Sequence, residues 1–354
     1  MFFLALNFLL SFVPLSAFTF DQKVNNYLSE KNFQGAVLIA KGGTLLFSHG
    51  FGWANVEHQI SNTPKTVFRI GSITKQFTAV AILHLHEQGL LNVHDPISQY
   101  LPGYPKGDTI SIHHLLTHSS GIPSITEFPN LSQIQRHPST PASVMAYFQD
   151  LPLEFAPGTE CKYSDSGYII LGAIVESVSQ CPYEEYLKEH FFKPLNMHST
   201  YFDHNRTLIP QRASGYGVDE KGLLINAEFI EMSFPHGAGS LASTVEDLYL
   251  WDQALKNHKL LSSESHELLF SVHATSVKNQ ITYGYGFFIE QDKRIIGHMG
   301  SIEGFRAALY RYLDDDVTII VLANRENISL VSLQEELALL THRFSHPLVS
   351  FWRP

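Results

Sequence analysis

The chain has 354 residues, of which 44% are hydrophobic and 16% are charged, and its formal net charge is −10. This composition is that of a globular protein with enough apolar residues for one large core or two lobes. Because the acidic residues are scattered and no basic block occurs, the sequence argues against partners such as nucleic acid or anionic lipid.

The first residues of the chain are almost wholly apolar. Residues 1–13 form the apolar run, and Ala17 offers a small residue at a cleavage point. This pattern predicts a signal peptide over residues 1–17, and therefore an exported protein, periplasmic or secreted, with no strong membrane association after cleavage. No Lys or Arg precedes the apolar run, so an uncleaved interfacial anchor is the alternative.

A helix and a hairpin are predicted next. Residues 21–30 carry apolar side chains at helical spacing, whereas residues 35–40 and 44–51 flank a Gly-Gly turn and predict two paired strands.

A serine opens the following predicted helix, over residues 72–88. Lys75 lies three positions after Ser72, so its ammonium and the serine hydroxyl share one helix face. The helix is apolar nearly all round, which predicts that it is buried, and a buried lysine needs a partner. The pair is a candidate nucleophile with a proton acceptor, and the alternative is a capped helix with a structural lysine.

The middle of the chain is rich in helices and loops, and strand signals return late. Helices are predicted over residues 111–118, 141–149 and 167–177, and Ser243 with Glu246 has the spacing of a capping box. Strands are predicted over residues 283–290, 294–299, 304–312 and 317–322, followed by a last helix over 330–344.

Strands at both ends of the chain and helices between them predict an α/β (α+β) fold, with an antiparallel sheet flanked by helices plus an all-helical lobe. We expect one domain over residues 18–354, with residues 18–70 and 238–345 in the sheet lobe and residues 71–237 in the helical lobe.

Two further groups of residues are candidates for chemistry. Tyr163 lies on a loop, and a phenol near a lysine ammonium has a lowered pKa, which makes it a candidate proton shuttle. On a late strand, Gly300 lets a ligand approach the backbone, the N–H of Ser301 can join that of Ser72 in an oxyanion hole, and His298 titrates near neutrality. For the tyrosine and the histidine alike, the alternative is a purely structural role.

Taken in this order, the three groups resemble the three signatures of the serine β-lactamase and penicillin-binding protein superfamily. The likeness is greatest to its class C branch, with the related esterases and D-amino-acid peptidases. Further stretches are similar to the family as well: residues 115–123, 163–172, 192–197, 237–248 and 297–305. The resemblance implies a site in the cleft between the sheet and the helical lobe.

The resemblance also implies a role for each matching residue. Ser72 is the acylated nucleophile, Lys75 and Tyr163 are the general-base pair, and the backbone N–H groups of Ser72 and Ser301 bind the oxyanion. His298 takes the place that lysine usually has in Lys-Thr-Gly.

Two departures from the family pattern bear on the substrate. The family commonly has asparagine at the position of Asp165, and an ionised aspartate accepts hydrogen bonds without donating any. An aspartate near Lys75 also holds that lysine charged, which weakens the lysine as a base and favours Tyr163 in that role. Because His298 removes a permanent positive charge as well, we expect a hydrolase that depends less on a substrate carboxylate, such as an esterase.

The expected activity is therefore hydrolysis of an ester or amide through an acyl-enzyme, with D,D-peptidase or weak β-lactamase activity as further forms of it. Asp165 and Gly300 are the predicted substrate-binding positions, and a small molecule or peptide, with cell-wall peptide among the candidates, is the predicted partner. The alternative from another class is a non-catalytic, penicillin-binding-like wall-binding or regulatory protein.

Neither a cofactor nor a metal is expected. His114 and His118 have the i, i+4 spacing of zinc ligands, but no third ligand accompanies them. We also expect no disulfide, because a predicted helix separates Cys161 from Cys181 by more than a bridge can span.

Overall fold

The computed structural model describes residues 19–278, 281–290 and 294–345. The predicted signal peptide lies outside the described residues. The α-helices are α1 (Phe20–Glu30), α2 (Thr74–Glu87), α3 (Ile112–Leu116), α4 (Leu131–Ile134), α5 (Pro141–Met145), α6 (Asp165–Ser179), α7 (Tyr183–Leu187), α8 (Val245–Lys256), α9 (Ser263–Phe270) and α10 (Leu330–Ser345).

The described residues form one large sheet and three small ones, which pair β3 with β4, β5 and β6 with β9, and β7 with β8. In chain order the strands are β1 (Gly35–Lys41), β2 (Thr44–Phe51), β3 (Trp53–Asn55), β4 (Ile60–Ser61), β5 (Phe68–Arg69), β6 (Tyr201–Phe202), β7 (Tyr216–Val218), β8 (Leu224–Asn226), β9 (Leu241–Ser243), β10 (Ala274–Ser276), β11 (Ile281–Tyr283), β12 (Phe288–Glu290), β13 (Ile295–Ile302), β14 (Phe305–Tyr312) and β15 (Val317–Ala323).

One antiparallel sheet of eight strands joins the two ends of the chain. Its order is β10-β11-β12-β13-β14-β15-β1-β2, so that β1 lies between β15 and its hairpin partner β2 and pairs with both. The strand β15 is buried along its whole length, since both of its faces are covered. The predicted antiparallel sheet with flanking helices is confirmed.

The two faces of the sheet bury different clusters of apolar side chains. Ile319 and Val321 point to the face that α1 and α10 cover, whereas Ile320 and Leu322 point to the larger core around α2 and α6. This alternation follows from the two-residue repeat of a strand.

The helix α2 is the centre of the larger core. Its residues from Thr74 to Leu83 are all buried, as the sequence predicts, and Phe77 stacks on Trp251 of α8 with ring centroids 3.9 Å apart. The segment before it, Gly71–Ile73, is a turn of 3₁₀-helix, so the predicted helix over residues 72–88 begins as a tighter turn.

Some predicted boundaries were wrong. The predicted strand over residues 283–290 is two strands, because Gly286 has a φ of +77° and the N–H of Gly284 donates to the carbonyl of Phe287 across a turn. The predicted capping box of Ser243 and Glu246 is wrong, because the N-cap of α8 is Thr244, whose side chain accepts from the N–H of Asp247 at 3.0 Å.

The lobe boundaries at residues 71 and 237 stay a prediction. Of the cysteines, Cys161 donates its thiol to the carbonyl of Thr117 at 3.5 Å, and neither it nor Cys181 is in a disulfide with another described residue. In the part of the chain that is described, no helix is both long and apolar enough to cross a membrane.

Candidate active site

Lys75 lies beneath Ser72 and is wholly buried. Its Nζ donates to Ser72 Oγ at 2.9 Å, to Asp165 Oδ1 at 2.6 Å and to the carbonyl of Ala238 at 2.9 Å. These three acceptors satisfy the three N–H groups of an ammonium. Burial lowers the pKa of Lys75, and the carboxylate of Asp165 opposes that change.

Asp165 begins α6 and is fixed from two further directions. Its backbone N–H donates to the hydroxyl of Ser124 at 3.0 Å, and its Oδ2 accepts from the hydroxyl of Thr126 at 3.0 Å. Its side chain is 17% exposed, so one edge faces the cavity described below. The structure therefore places Asp165 against Lys75, as the sequence analysis expects, with both carboxylate oxygens accepting.

Tyr163 packs over Lys75, with the ammonium 4.9 Å from the centroid of the phenol ring. Burial and the nearby carboxylate of Asp165 raise the pKa of Tyr163 well above its usual value, and a hydrogen bond with Ser72 opposes this only in part. The expectation of a lowered pKa for this phenol is wrong, because burial and the charge of Asp165 raise it.

Two backbone segments meet beside Ser72. A Cβ added to Gly300 would lie 1.9 Å from the carbonyl oxygen of Ile70 and 3.2 Å from the backbone N of Ser72. Likewise, a Cβ added to Gly71 would lie 3.0 Å from the backbone N of Ser301. The absence of side chains at Gly71 and Gly300 thus lets the backbone segments that contain Ser72 and Ser301 pack directly against each other.

His298 lies below the site and is 1% exposed. Its Nδ1 lies 2.5 Å from the carbonyl oxygen of Met299, to which only an N–H can donate, so Nε2 accepts from the hydroxyl of Tyr283 at 2.9 Å. Burial, with the charge of Lys75, lowers the pKa of His298 to about 3. The expectation that this histidine titrates near neutrality is therefore wrong, and its ring is neutral.

His118 holds the tyrosine loop, a role that the sequence analysis missed. Its carbonyl accepts from the N–H of Lys162 at 2.9 Å, its Nδ1 accepts from the N–H of Ser164 at 3.1 Å, and its ring packs on that of Tyr163 at 4.3 Å. The residue has a φ of +58° and follows the end of α3. The helix predicted over residues 111–118 is shorter in the structure, where α3 ends at Leu116. His114 and His118 therefore do not share a helix face.

The described residues contain no group of three or more histidine, cysteine, aspartate or glutamate side chains that could hold a metal ion. Nδ1 of His114 instead accepts the N–H of Ser111 at the start of α3.

A cavity of about 750 Å³ opens over Ser72. Ser72, Tyr163, Asp165 and Ser301 line it, whereas Lys75, His298 and Gly300 lie behind its wall. The remaining lining residues are Gly71, Ile125, Thr126, Phe128, Pro129, Leu131, Ser132, Gln135, Ile169, Glu228, Ile230, Phe234, Pro235, Ala238, Gly239, Ile302, Glu303, Arg306 and Glu326. The structure thus brings the predicted residues together, with a hydroxyl that faces the cavity and an amine that is shielded from it.

Comparisons with known proteins agree with this geometry. A family model described as Beta-lactamase matches residues 20–342. The putative penicillin-binding protein PbpX of Bacillus subtilis (strain 168) is 35% identical over 302 residues, which cover 85% of this chain and 73% of that protein.

Solved structures give the same result for the fold. The penicillin-binding protein from Bacillus halodurans superposes with a TM-score of 0.81 at 29% identity, over 89% of this chain and 98% of that one. The D-amino acid amidase from Ochrobactrum anthropi SV3 superposes with a TM-score of 0.81 at 21% identity, over 92% of this chain and 98% of that one, and this second likeness concerns the fold alone.

Proposed function

This chain belongs to the beta-lactamase family of serine hydrolases, and we propose that it cleaves an ester or amide through an acyl-enzyme formed on Ser72. The observation that carries the proposal is the 2.9 Å hydrogen bond between Lys75 Nζ and Ser72 Oγ at the floor of the cavity. A serine hydroxyl needs a neighbouring base to become nucleophilic. The side chain of Lys75 is fully buried, so its amine is held against Ser72 and is not exposed to solvent.

The proton has a direct path in this arrangement. In the molecules where Lys75 is neutral, Ser72 Oγ passes its proton to Nζ while Oγ attacks the substrate carbonyl. The tetrahedral intermediate then collapses as the leaving group takes a proton from the Lys75 and Tyr163 pair, and water hydrolyses the acyl-enzyme by the reverse sequence. The raised pKa of Tyr163 keeps the phenol protonated at rest, so it acts as a relay that gives and regains a proton.

The backbone N–H groups of Ser72 and Ser301 stabilise the oxyanion in this proposal. The support is the close packing of Gly300 and Gly71 against the opposite segments, which leaves no space for a side chain between them. Backbone donors held in this way need no reorganisation when charge develops.

The proposed substrate is an ester or a weakly activated amide in preference to a β-lactam or a D,D-peptide. The family acts on small-molecule or peptide substrates, and recognition of an acyl-amide carbonyl uses a donor at the position of Asp165. Both oxygens of Asp165 accept hydrogen bonds, and the ring of His298 is neutral and buried, so neither supplies a donor or a cation to such a substrate.

A second candidate is a non-catalytic, wall-binding or regulatory protein that keeps the cleft. The observation that favours it is the 2.6 Å pair between Lys75 and Asp165, which stabilises the ammonium form and so opposes proton transfer from Ser72.

One experiment distinguishes the catalytic candidate from the non-catalytic one. The protein is exposed in parallel to a fluorophosphonate, a fluorescent penicillin and a p-nitrophenyl ester, and its intact mass and ester turnover are measured for the wild type and for Ser72→Ala. A matched control is Ser263→Ala, an exposed serine of α9. We expect Ser72-dependent labelling and ester turnover with little penicilloyl adduct.

A stable penicilloyl adduct would favour a penicillin-binding peptidase, and failure of all three probes would favour the non-catalytic protein.

We further propose that the protein is exported, and cell fractionation with amino-terminal sequencing of the mature chain tests that proposal.

A further inference from the structure

We propose that the substrate carries a positively charged group and that Glu303 selects it. This inference rests on the proposed hydrolase function and concerns the same cavity. Charged side chains in the cavity wall are four carboxylates and one guanidinium: Asp165, Glu228, Glu303, Glu326 and Arg306.

Two of the four carboxylates are already neutralised by cations outside the cavity wall. Asp165 pairs with Lys75 at 2.6 Å, and Glu228, whose side chain is 75% exposed at the rim, pairs with Arg136 at 3.1 Å. These two add little to the field that a substrate meets.

Glu303 is held by a neutral group. Its Oε1 accepts from Nε2 of Gln135 at 2.7 Å, and Gln135 is 4% exposed. A buried amide orients the carboxylate without cancelling its charge. Glu303 lies two residues after Ser301, in the turn that follows β13, and both residues line the cavity over Ser72. A substrate whose acyl chain carries a cation can therefore reach Glu303 while its carbonyl is over Ser72.

Glu326 is held in the same way. It accepts the backbone N–H of Gly304 at 2.5 Å, at the turn that joins β13 to β14. Among the described residues, no ion pair involves Glu303 or Glu326. Two carboxylates that have neutral hydrogen-bond donors thus line the cavity at this turn, Glu303 within it and Glu326 beside it.

Arg306 reduces this charge without cancelling it. Its Nη1 donates to the carbonyls of Phe305 at 2.7 Å and Ile302 at 3.3 Å, so part of the guanidinium is used to fix the turn. One guanidinium against the carboxylates of Glu303 and Glu326 leaves the cavity with an excess negative charge. In a cleft with low-dielectric walls such a charge favours a cationic ligand and repels an anionic one.

A charge series on one scaffold tests the proposal. We would compare kcat/KM for a p-nitrophenyl ester whose acyl chain ends in a trimethylammonium group, for its neutral tert-butyl isostere, and for the carboxylate-ended analogue. The expected order is cationic, then neutral, then anionic, with about a tenfold advantage of the cationic ester over its isostere at low ionic strength that shrinks as salt is added. In Glu303→Gln the ratio should fall toward one, and Glu264→Gln, an exposed carboxylate of α9, should leave it unchanged.

The wild-type series decides the matter even if Glu303→Gln does not fold. Equal rates for the three esters, or a preference for the anionic ester that indicates recognition by Arg306, would overturn the inference and leave the hydrolase function intact. If no ester is turned over, calorimetric binding of the methyl amides of the cationic and neutral acids to Ser72→Ala gives the same comparison without catalysis, and equal affinities would overturn it.

Discussion

Replacing Asp165 by asparagine should move the acid limb of the pH–rate profile to lower pH. In the structure the carboxylate raises the pKa of Lys75 against the effect of burial and also raises the pKa of Tyr163. Removing the charge lowers both values. Whichever of the two groups accepts the proton of Ser72, more of it is then in its basic form at a given pH.

The same substitution should reduce stability. Breaking a buried ion pair by removing one partner generally costs about 3 to 5 kcal/mol, because the other charge stays buried. Here the cost should be near or below the lower end, about 2 to 3 kcal/mol. The side chain of Asp165 is 17% exposed, the asparagine oxygen can still accept from Nζ, and Lys75 can lose its proton.

The assay is kcat/KM for a neutral p-nitrophenyl ester from about pH 4 to 10, with urea denaturation of the same samples. The matched control is Asp203→Asn, which removes a wholly buried carboxylate that pairs with Arg69 and Arg212, each at 2.7 Å, and that is not among the groups that shift the pKa of Lys75. The control should lose stability while its acid limb stays in place. If the limb of Asp165→Asn stays in place or moves to higher pH, the assignment of Lys75 and Tyr163 as the base is wrong.

Three further predictions concern other residues. Gly300→Ala should lower kcat at least about a hundredfold, because its Cβ would lie 1.9 Å from the carbonyl oxygen of Ile70 and push the oxyanion donors apart, and near-normal turnover would contradict this. His298, whose pKa burial lowers to about 3, should show no ring titration by NMR between pH 5 and 8, whereas a midpoint near 6.5 would show that it is not shielded. Asp252→Ala should reduce the free energy of unfolding by about 3 to 5 kcal/mol, since it leaves the buried Arg311 guanidinium unpaired. Urea denaturation measures this loss, and a change below about 1 kcal/mol would mean that water or another group replaces the carboxylate.

Local sequence patterns were sufficient for the elements whose signal is continuous. The hairpin of β1 and β2, the buried helix α2 and the last helix were predicted within a few residues, because alternation or helical spacing extends over each of them. The split between β11 and β12 was missed, although Gly284 and Gly286 were visible in the sequence as a turn signal.

The candidate site was predicted in its membership and less well in its electrostatics. The spacing of Ser72 and Lys75 puts them on one face of a helix, and that relation is local. The pKa values of His298 and Tyr163 are set first by burial, which only the folded chain provides. The pKa of His298 is lowered further by the charge of Lys75, which lies more than two hundred positions earlier in the sequence. The role of His118 could not be inferred, because it follows from a left-handed backbone and contacts with a loop more than forty positions away.

The pairing of β1 with β15 has a consequence for how the protein folds. A hairpin of β1 and β2 can form early, but the strand that completes its other edge comes close to the end of the chain. The segment that carries Ser72 also packs against β13, which arises in the last quarter of the sequence. The chain must therefore be synthesised as far as β15 before the sheet can close, and a fragment that stops before residue 295 would have a serine and a lysine on a helix but no assembled cleft.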